Sequence, residues 1–458
     1  MRIISSRLPG GTLLGLLALG VLSPGLGTLS AMATVRAQST SLTAVLRMIA
    51  AQSPRVLAAR AAAQEARAHV GIARAARFGT VYVYARSQHY NDPRLIRPIT
   101  LPPNVKEYSF AGNQLGYGIE AQLPLDFSLR IAAGVAGARA GARTAGWDAQ
   151  NTRLRAILDG AILYRDLQSL LGKRNALVQQ INALQYSEQV ARSGLRTGLD
   201  SRLKLLRVEA GLQEARAVLA GVSGRMQGLR AQLAALMGLP GFTALIQPIV
   251  APPNTPPVAT ARPVPAIEAA HSSLAGSEAR LRAAWRDLLP QFYIAAGWNR
   301  NTVQSFHAGV QTWQVSLGMR LNLWSGGAQT SRIKAARAAA EAARQRLLAA
   351  RYRLRSARWS ARAAWQAQAE TYRAALAGLQ AARESARIEQ NNFRVGLSSA
   401  TDLLDVEATL ARARARVAAT LAAWWQADDR LRYAYGEPPL ALTSAAIPTH
   451  VWREENPL

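Results

Sequence analysis

The residues of this chain that could do chemistry are few and scattered. Five histidines, His69, His89, His271, His307 and His450, lie far apart, and no two share the i, i+4 spacing that lets imidazoles on one helix face hold a metal ion. With no cysteine in 458 residues, thiolate metal sites and disulfides are excluded. Gly116-Tyr117-Gly118-Ile119-Glu120-Ala121 spells a dinucleotide fingerprint, but inside an alternating strand pattern and not at a strand-to-helix turn, so no cradle for a pyrophosphate is expected. No phosphate-binding loop follows anywhere. The one charged constellation with regular spacing is Asp402 and Asp405, one helical turn apart and so on one face. At the equivalent places 198 residues earlier stand Lys204 and Arg207. These residues describe no enzyme, no cofactor and no metal centre; they describe charge placed on helices.

The net charge is +28, yet all but four of the 55 basic residues are arginines, the exceptions being Lys106, Lys173, Lys204 and Lys334. The arginines are distributed along helical segments and not gathered into an arm, so a nucleic-acid partner is not expected. At the N-terminus Arg2 and Arg7 precede an apolar run from Leu13 to Leu22. The small-residue sites Ala31-Met32-Ala33 and Val35-Arg36-Ala37 follow it, which is the layout of a secretory signal peptide over residues 1–37. That run is shorter than the roughly 20 residues a membrane-spanning helix requires. The expected mature chain is exported and carries no transmembrane helix.

The elements that must position the charged residues appear twice. Gly198-Leu199-Asp200-Ser201 precedes Leu205-Leu206-Arg207-Val208-Glu209-Ala210, and Gly396-Leu397-Ser398-Ser399 precedes Leu403-Leu404-Asp405-Val406-Glu407-Ala408, at an offset of 198. The same offset lays Leu115, Tyr117, Ile119, Ala121, Leu123 and Leu125 onto Trp313, Val315, Leu317, Met319, Leu321 and Leu323. Upstream, Pro54, Val56 and Ala58 pair with Pro265, Ile267 and Ala269 at 211, so 13 extra residues fall in a loop expected around Asn91 to Asn113. Each copy (38–247 and 266–440) reads helix, strand, loop, strand, long helix, turn, helix. A Pro-rich linker over 248–265 joins them, and a tail over 441–458 follows.

The strands alternate. Phe292, Ile294, Ala296 and Trp298 share one face, and Trp313 to Leu323 set apolar residues against Gln314, Ser316, Gly318, Arg320 and Asn322. This period suits a membrane barrel strand and equally a half-buried strand of a soluble sheet. The helices favour the barrel. Leu205, Val208, Leu212, Ala215, Leu219, Val222, Met226, Leu229, Leu233 and Leu236 make a heptad seam of coiled-coil type, echoed more loosely from Leu403 to Leu431. Helical stretches of nearly 70 residues begin at Ser128 and Gly326, although glycines from Gly134 to Gly141 leave continuity open. At 1.5 Å per residue each would reach about 100 Å, far beyond a compact domain. Four strands cannot close a barrel in lipid, so several chains must contribute. Three would supply twelve strands around a water-filled lumen.

From about Ser41 to Gly436 the chain resembles the TolC-like outer-membrane efflux protein family. The resemblance is carried by Arg196-Thr197-Gly198-Leu199-Asp200-Ser201, Arg394-Val395-Gly396-Leu397-Ser398-Ser399, the run Asp402 to Ala408 and the strand exit Asn322 to Gly327. It implies an α+β membrane protein: a homotrimer with a twelve-stranded outer-membrane β-barrel continued by a periplasmic α-helical coiled-coil barrel. It implies too a tripartite pump, with a periplasmic adaptor protein and an inner-membrane transporter as partners. The tips (Gly198, Leu199, Ser201, Gly396, Leu397, Ser399) would dock the adaptor; the bland reading is a pair of helix-capping turns. Asp402 and Asp405 would ring the periplasmic gate, with Lys204 and Arg207 pairing to them across neighbouring helices; the bland reading is solvated helix charge. Ser398 stands where relatives often carry a gate-bridging arginine. Glu120, Gln122, Arg320 and Asn322 would line the barrel lumen. The competing reading of the whole chain is a soluble periplasmic coiled-coil scaffold or adaptor.

Overall fold

A computed structural model describes residues 41–95, 101, 110–243, 246–251, 256–257, 262–302 and 310–440. The signal peptide expected over 1–37, linker residues 252–255 and 258–261, and the tail 441–458 lie outside the described residues. The elements run α1 (Leu42–Gln52), α2 (Pro54–Ala75), β1 (Thr80–Leu95), β2 (Phe110–Leu125), α3 (Arg130–Arg196), α4 (Arg202–Met237), α5 (Pro265–Arg286), β3 (Gln291–Thr302), β4 (Val310–Arg320), α6 (Ala328–Arg394) and α7 (Ala400–Ala434). The order expected for each repeat is present, with α1 as an addition to the first. Ser53 accepts the backbone of two following residues and Pro54 opens α2 at a position whose N–H would be unsatisfied anyway, so the chain turns there instead of continuing α1.

The strands form one antiparallel sheet in the order β1-β2-β3-β4. The two hairpins therefore meet at β2 and β3, and β1 and β4 are left as edges. Part of the loop expected over Asn91 to Asn113 is strand: β1 continues to Leu95, past an irregularity between His89 and Arg94, and β2 starts at Phe110. The inserted residues lengthen the first hairpin as well as its loop. A second difference concerns Asn322, which lies beyond β4. The ladder ends at Gln291 opposite Arg320, because the preceding residue on β3 is Pro290, which has no N–H to offer. Leu321, Asn322 and Leu323 run exposed through the connection to α6.

Below the sheet the helices keep the strands' order. Near the sheet α2, α3, α5 and α6 stand side by side, and further down the order becomes α4, α3, α7, α6. One side of the layer thus ends in β1, α2 and α4, the other in β4 and α6. Both long helices are continuous over 67 residues, including the Gly134–Gly141 stretch. All ten positions of the predicted α4 seam are buried or half-buried. The largest core joins α1, α3 and α4, where Leu46, Ile49, Ile157, Tyr164, Leu167 and Leu233 are fully buried; each aliphatic side chain there is worth about 1.5–3 kcal/mol relative to exposure. Smaller clusters continue along α6 and α7 as far as Phe393 and Leu403. Among the described residues, no helix is long and apolar enough to cross a membrane.

Candidate functional site

The sheet has two unlike faces. In register across it lie Val83, Ile119, Trp298 and Trp313, then Val81, Ala121, Ala296 and Val315, then Leu123, Ile294 and Leu317. These rows are apolar and their large side chains are open, Trp313 being 77% exposed and Leu317 72%; beyond them, towards the hairpin ends, the same face turns polar with Arg300 and Gln311 in register with Tyr117. A surface of that extent is unsuited to water and suited to hydrocarbon. The opposite face carries Tyr82, Glu120, Gly297 and Gln314 in one row, and Gln122, Ala295 and Ser316 in the next. Tyr82 donates to Glu120, and Arg320 sits at the base. Glu120, Gln122 and Arg320 are thus gathered on the polar face, and Asn322 is not.

At the other end of the layer the two tips are built alike. Gly198 (φ 76°) and Gly396 (φ 82°) take the left-handed backbone that an L side chain resists. Leu199 N–H then reaches back to Gly194 O at 2.8 Å, and Leu397 N–H to Asn392 O at 2.8 Å, closing the last carbonyls of α3 and α6. Ser201 Oγ accepts from Lys204 N–H and Ser399 Oγ from Asp402 N–H, each at 3.2 Å, so both serines are N-caps of the returning helices. Capping accounts for the glycines and serines. It does not account for Leu199 and Leu397, which stand 85% and 80% exposed.

Asp402 and Asp405 are both exposed, on the first turns of α7. Ser399 Oγ donates to Asp402 at 2.6 Å, and Asp405 lies 3.8 Å from Arg412. Within the chain Lys204 is committed elsewhere: its ammonium bonds Asp200 at 2.7 Å and sits 4.2 Å from the centre of the Phe393 ring. That i, i+4 pairing is closer at hand than any partner on α7. Arg207 donates to Thr401 Oγ1 at 3.1 Å, next to Asp402 in sequence. Ser398 donates to Glu389. One turn above the aspartates Glu407 is buried against Gln390, and burial pushes its carboxyl up from the usual range.

Sequence reasoning missed a buried charge cluster where α3 crosses α7. Asp429 is fully buried, and its carboxylate lies 3.9 Å from Arg165 with neither oxygen hydrogen-bonded. Burial, against the opposing pull of Arg165, pushes its pKa up to about 7. Arg165 donates to Gln168 at 3.0 Å and lies 4.3 Å from the centre of the Trp425 ring, while neighbouring Asp428 holds Arg432 at 2.8 Å. The same region pins the start of the linker: Gln168 donates to Gln247 O, Gln247 N–H to Tyr164 Oη, and Trp425 Nε1–H to Val250 O. The available signal was a pair of aspartates, Asp428 and Asp429, directly beside the apolar seam positions Ala427 and Leu431. Among the described residues, no group of histidines and carboxylates is arranged to hold a metal ion.

An apolar open sheet continued by a layer of helices about 100 Å long defines a segment of a membrane channel with a helical extension. The chain belongs to the outer membrane efflux protein family, which it matches over residues 45–239 and 261–437. Its fold is that of solved outer-membrane channels. VceC of Vibrio cholerae superposes with a TM-score of 0.72 at 16% identity, covering 87% of this chain and 96% of that one. The CmeC channel of Campylobacter jejuni gives 0.72 at 14% identity, covering 91% and 93%. The open-state MtrE channel of Neisseria gonorrhoeae gives 0.70 at 16%, covering 90% and 94%. Among curated proteins, Protein CyaE of Bordetella pertussis is 29% identical over 228 residues, 44% of this chain, and the match spans about half (48%) of that relative's length.

Proposed function

We propose that this chain is the exit duct of a tripartite efflux or secretion system: a homotrimer that conducts substrate passively across the outer membrane of a Gram-negative bacterium. On this reading residues 1–37 direct export, and the repeats at 38–247 and 266–440 each supply a hairpin to the barrel and two helices to a tube reaching into the periplasm. The observation that carries the proposal is the four-strand sheet itself. Its outward face is apolar in four successive register rows, from Val83–Ile119–Trp298–Trp313 to Leu125–Phe292–Met319, and among the described residues its edges β1 and β4 are unpaired within the chain. In lipid such edges must pair with further copies. A soluble scaffold has no use for that face.

At the far end, Leu199 and Leu397 are apolar anchors for a periplasmic adaptor protein, and an inner-membrane transporter supplies the energy. Asp402 and Asp405, repeated by threefold symmetry, ring the aperture and hold it closed by binding cations. Arg207, already beside Thr401, is the cation placed to latch them between chains; Lys204, held by Asp200, is a weaker partner. Reconstitution in planar bilayers tests the gate. The double variant Asp402→Ala, Asp405→Ala should raise the closed-state conductance, and an unchanged conductance removes the gate assignment. Recovery of the exported protein as a detergent-independent monomer would remove the duct altogether.

A further inference from the structure

The helical layer carries an arginine pattern that neither the gate nor the barrel uses. Arg337, Arg344, Arg351 and Arg358 recur at every seventh residue of α6, and Arg60, Arg67 and Arg74 do the same on α2. A seven-residue repeat keeps each set on one flank of its helix. All of them are exposed except Arg358, which is half-buried. Lys334, Arg355 and Arg362 extend the α6 flank. Against these cations stand Glu341, which holds Arg344 at 3.4 Å, and Glu65, which faces His69.

The fold tells which side of the layer this flank faces. On the polar side of the sheet Gln291 donates to Asp287, and Asp287 lies 3.9 Å from Arg332. Arg332, with Arg346 and Arg353 at heptad steps from it, therefore faces the lumen. Arg337 lies about 150° further round a heptad helix, on the outside. Two contacts agree with this. Arg358 donates to Ala434 O at the end of α7, and Arg60 to Ala50 O at the end of α1. Helix α1 shares its core with Ile246, just before the linker, and Gly436 packs against Pro263 and Val264 at the linker's end, so α1, both ends of the linker and the α7 terminus lie on one side.

Helices α2 and α6 are the two edges of the upper layer. When chains join edge to edge, α2 of one protomer stands beside α6 of the next, and the two arginine ladders flank a single outer groove. The net charge across that seam is strongly positive, with Glu341 and Glu65 too few to balance it, and it suits an anion from outside the protein. Guanidinium forks spaced along a groove fit carboxylates, each pair of N–H donors matching one carboxylate's oxygens. We propose that this groove binds an anionic, carboxylate-bearing glycan polymer of the periplasm, such as the peptide-cross-linked strands of the cell wall, and so fastens the tube laterally beneath the membrane. The inference rests on the trimeric duct proposed above.

The test is co-sedimentation of the purified trimer in detergent with insoluble cell-wall sacculi. The outer variant is R337Q/R344Q/R351Q and the lumenal control is R332Q/R346Q/R353Q. Wild type and the lumenal control should pellet at low salt and be released at roughly 0.5 M, where screening is nearly complete. The outer variant should be retained roughly tenfold less. Single-channel conductance of the outer variant, unchanged from wild type, shows that it folds and keeps failure of this groove separate from failure of the duct. The proposal is overturned if the outer variant pellets like wild type, or if both variants lose retention equally. Failure of the wild-type trimer to pellet, or its binding to vesicles of anionic phospholipid but not to sacculi, overturns it as well.

Discussion

Replacing Asp429 by asparagine isolates the cost of the charge buried between α3 and α7. The carboxylate is fully buried, both its oxygens lack hydrogen bonds, and Arg165 stands at 3.9 Å without bonding it. Desolvation dominates, and the folded pKa rises to about 7, whereas an unfolded aspartate titrates near ~3.9. The folded chain therefore holds a proton that the unfolded chain has lost between these values, and stability falls as pH rises through that window and levels off above about 7. Each unit of the window is worth about 1.4 kcal/mol, so the wild type should lose about 2–3 kcal/mol per chain between roughly pH 5 and pH 8 on this account. Asparagine is close in shape to the protonated acid and does not titrate. The cost of leaving Arg165 without a counter-charge is then common to both proteins at pH 5 and cancels in the comparison. Other groups facing the site (Asp428, Arg430, Arg432, Glu437 and Tyr164) are retained in both. Thermal midpoints of the detergent-solubilised trimer, measured at one scan rate because such unfolding is irreversible, should coincide near pH 5. By pH 8 the Asp429→Asn midpoint should be several degrees higher. Parallel pH profiles would refute the reasoning. So would an asparagine variant that is less stable at pH 8, since the carboxylate would then be ionised and holding Arg165.

Leu199→Glu with Leu397→Glu should abolish capture of the periplasmic adaptor in a pull-down, with thermal stability unchanged within about 0.5 kcal/mol, as expected for exposed positions. Leu317→Arg, in the outward row of β4, should cost about 2–4 kcal/mol in a membrane-folding titration if that row meets the bilayer midplane; in a soluble sheet the exposed site would tolerate it. Gly172→Ala places a methyl where the structure leaves 2.2 Å to Ala418 Cβ, between α3 and α7. Overpacking there should lower trimer stability by about 1–3 kcal/mol in a denaturation series.

The layer was legible because duplication writes its own geometry. The offset of 198 placed each strand, turn and returning helix beside its counterpart, and the heptad seam of α4 is buried as its spacing requires. The same symmetry misled at Asn322. The offset carries Leu125, which is paired to Phe292, onto Leu323, which has no partner, because a proline precedes β3 and has no counterpart role before β1. The pairing of Lys204 with the aspartates also came from symmetry; within one chain the ammonium bonds a local partner four residues away, Asp200. Asp429 was hidden for a different reason. A heptad pattern reports one buried face, but α7 packs on both α3 and α6, and Arg165 is remote in the chain.

That double packing explains why the charge is tolerated where it is. Near its start α7 can turn a carboxylate to water, as Asp402 and Asp405 do on its exposed first turns. Higher up, α7 lies between two helices and next to the linker, and the alternative to burying Asp429 would be to open the contact through which the second repeat grips the first. The polar contacts that cross there all join the two halves: Arg165 near Asp429, Gln426 to Asp166 at 2.6 Å, and Tyr433 to Asn151 at 3.2 Å. An apolar residue at position 429 would pack as well or better, but it would leave Arg165 buried without a counter-charge. Arg165→Met alone would remove the largest opposing cation and raise the carboxylate's pKa further, whereas Arg165→Met with Asp429→Leu should recover or exceed wild-type stability. If the double variant instead proves clearly less stable than wild type, the ion pair is worth more than the apolar pair that replaces it, and burial is not the dominant force on Asp429.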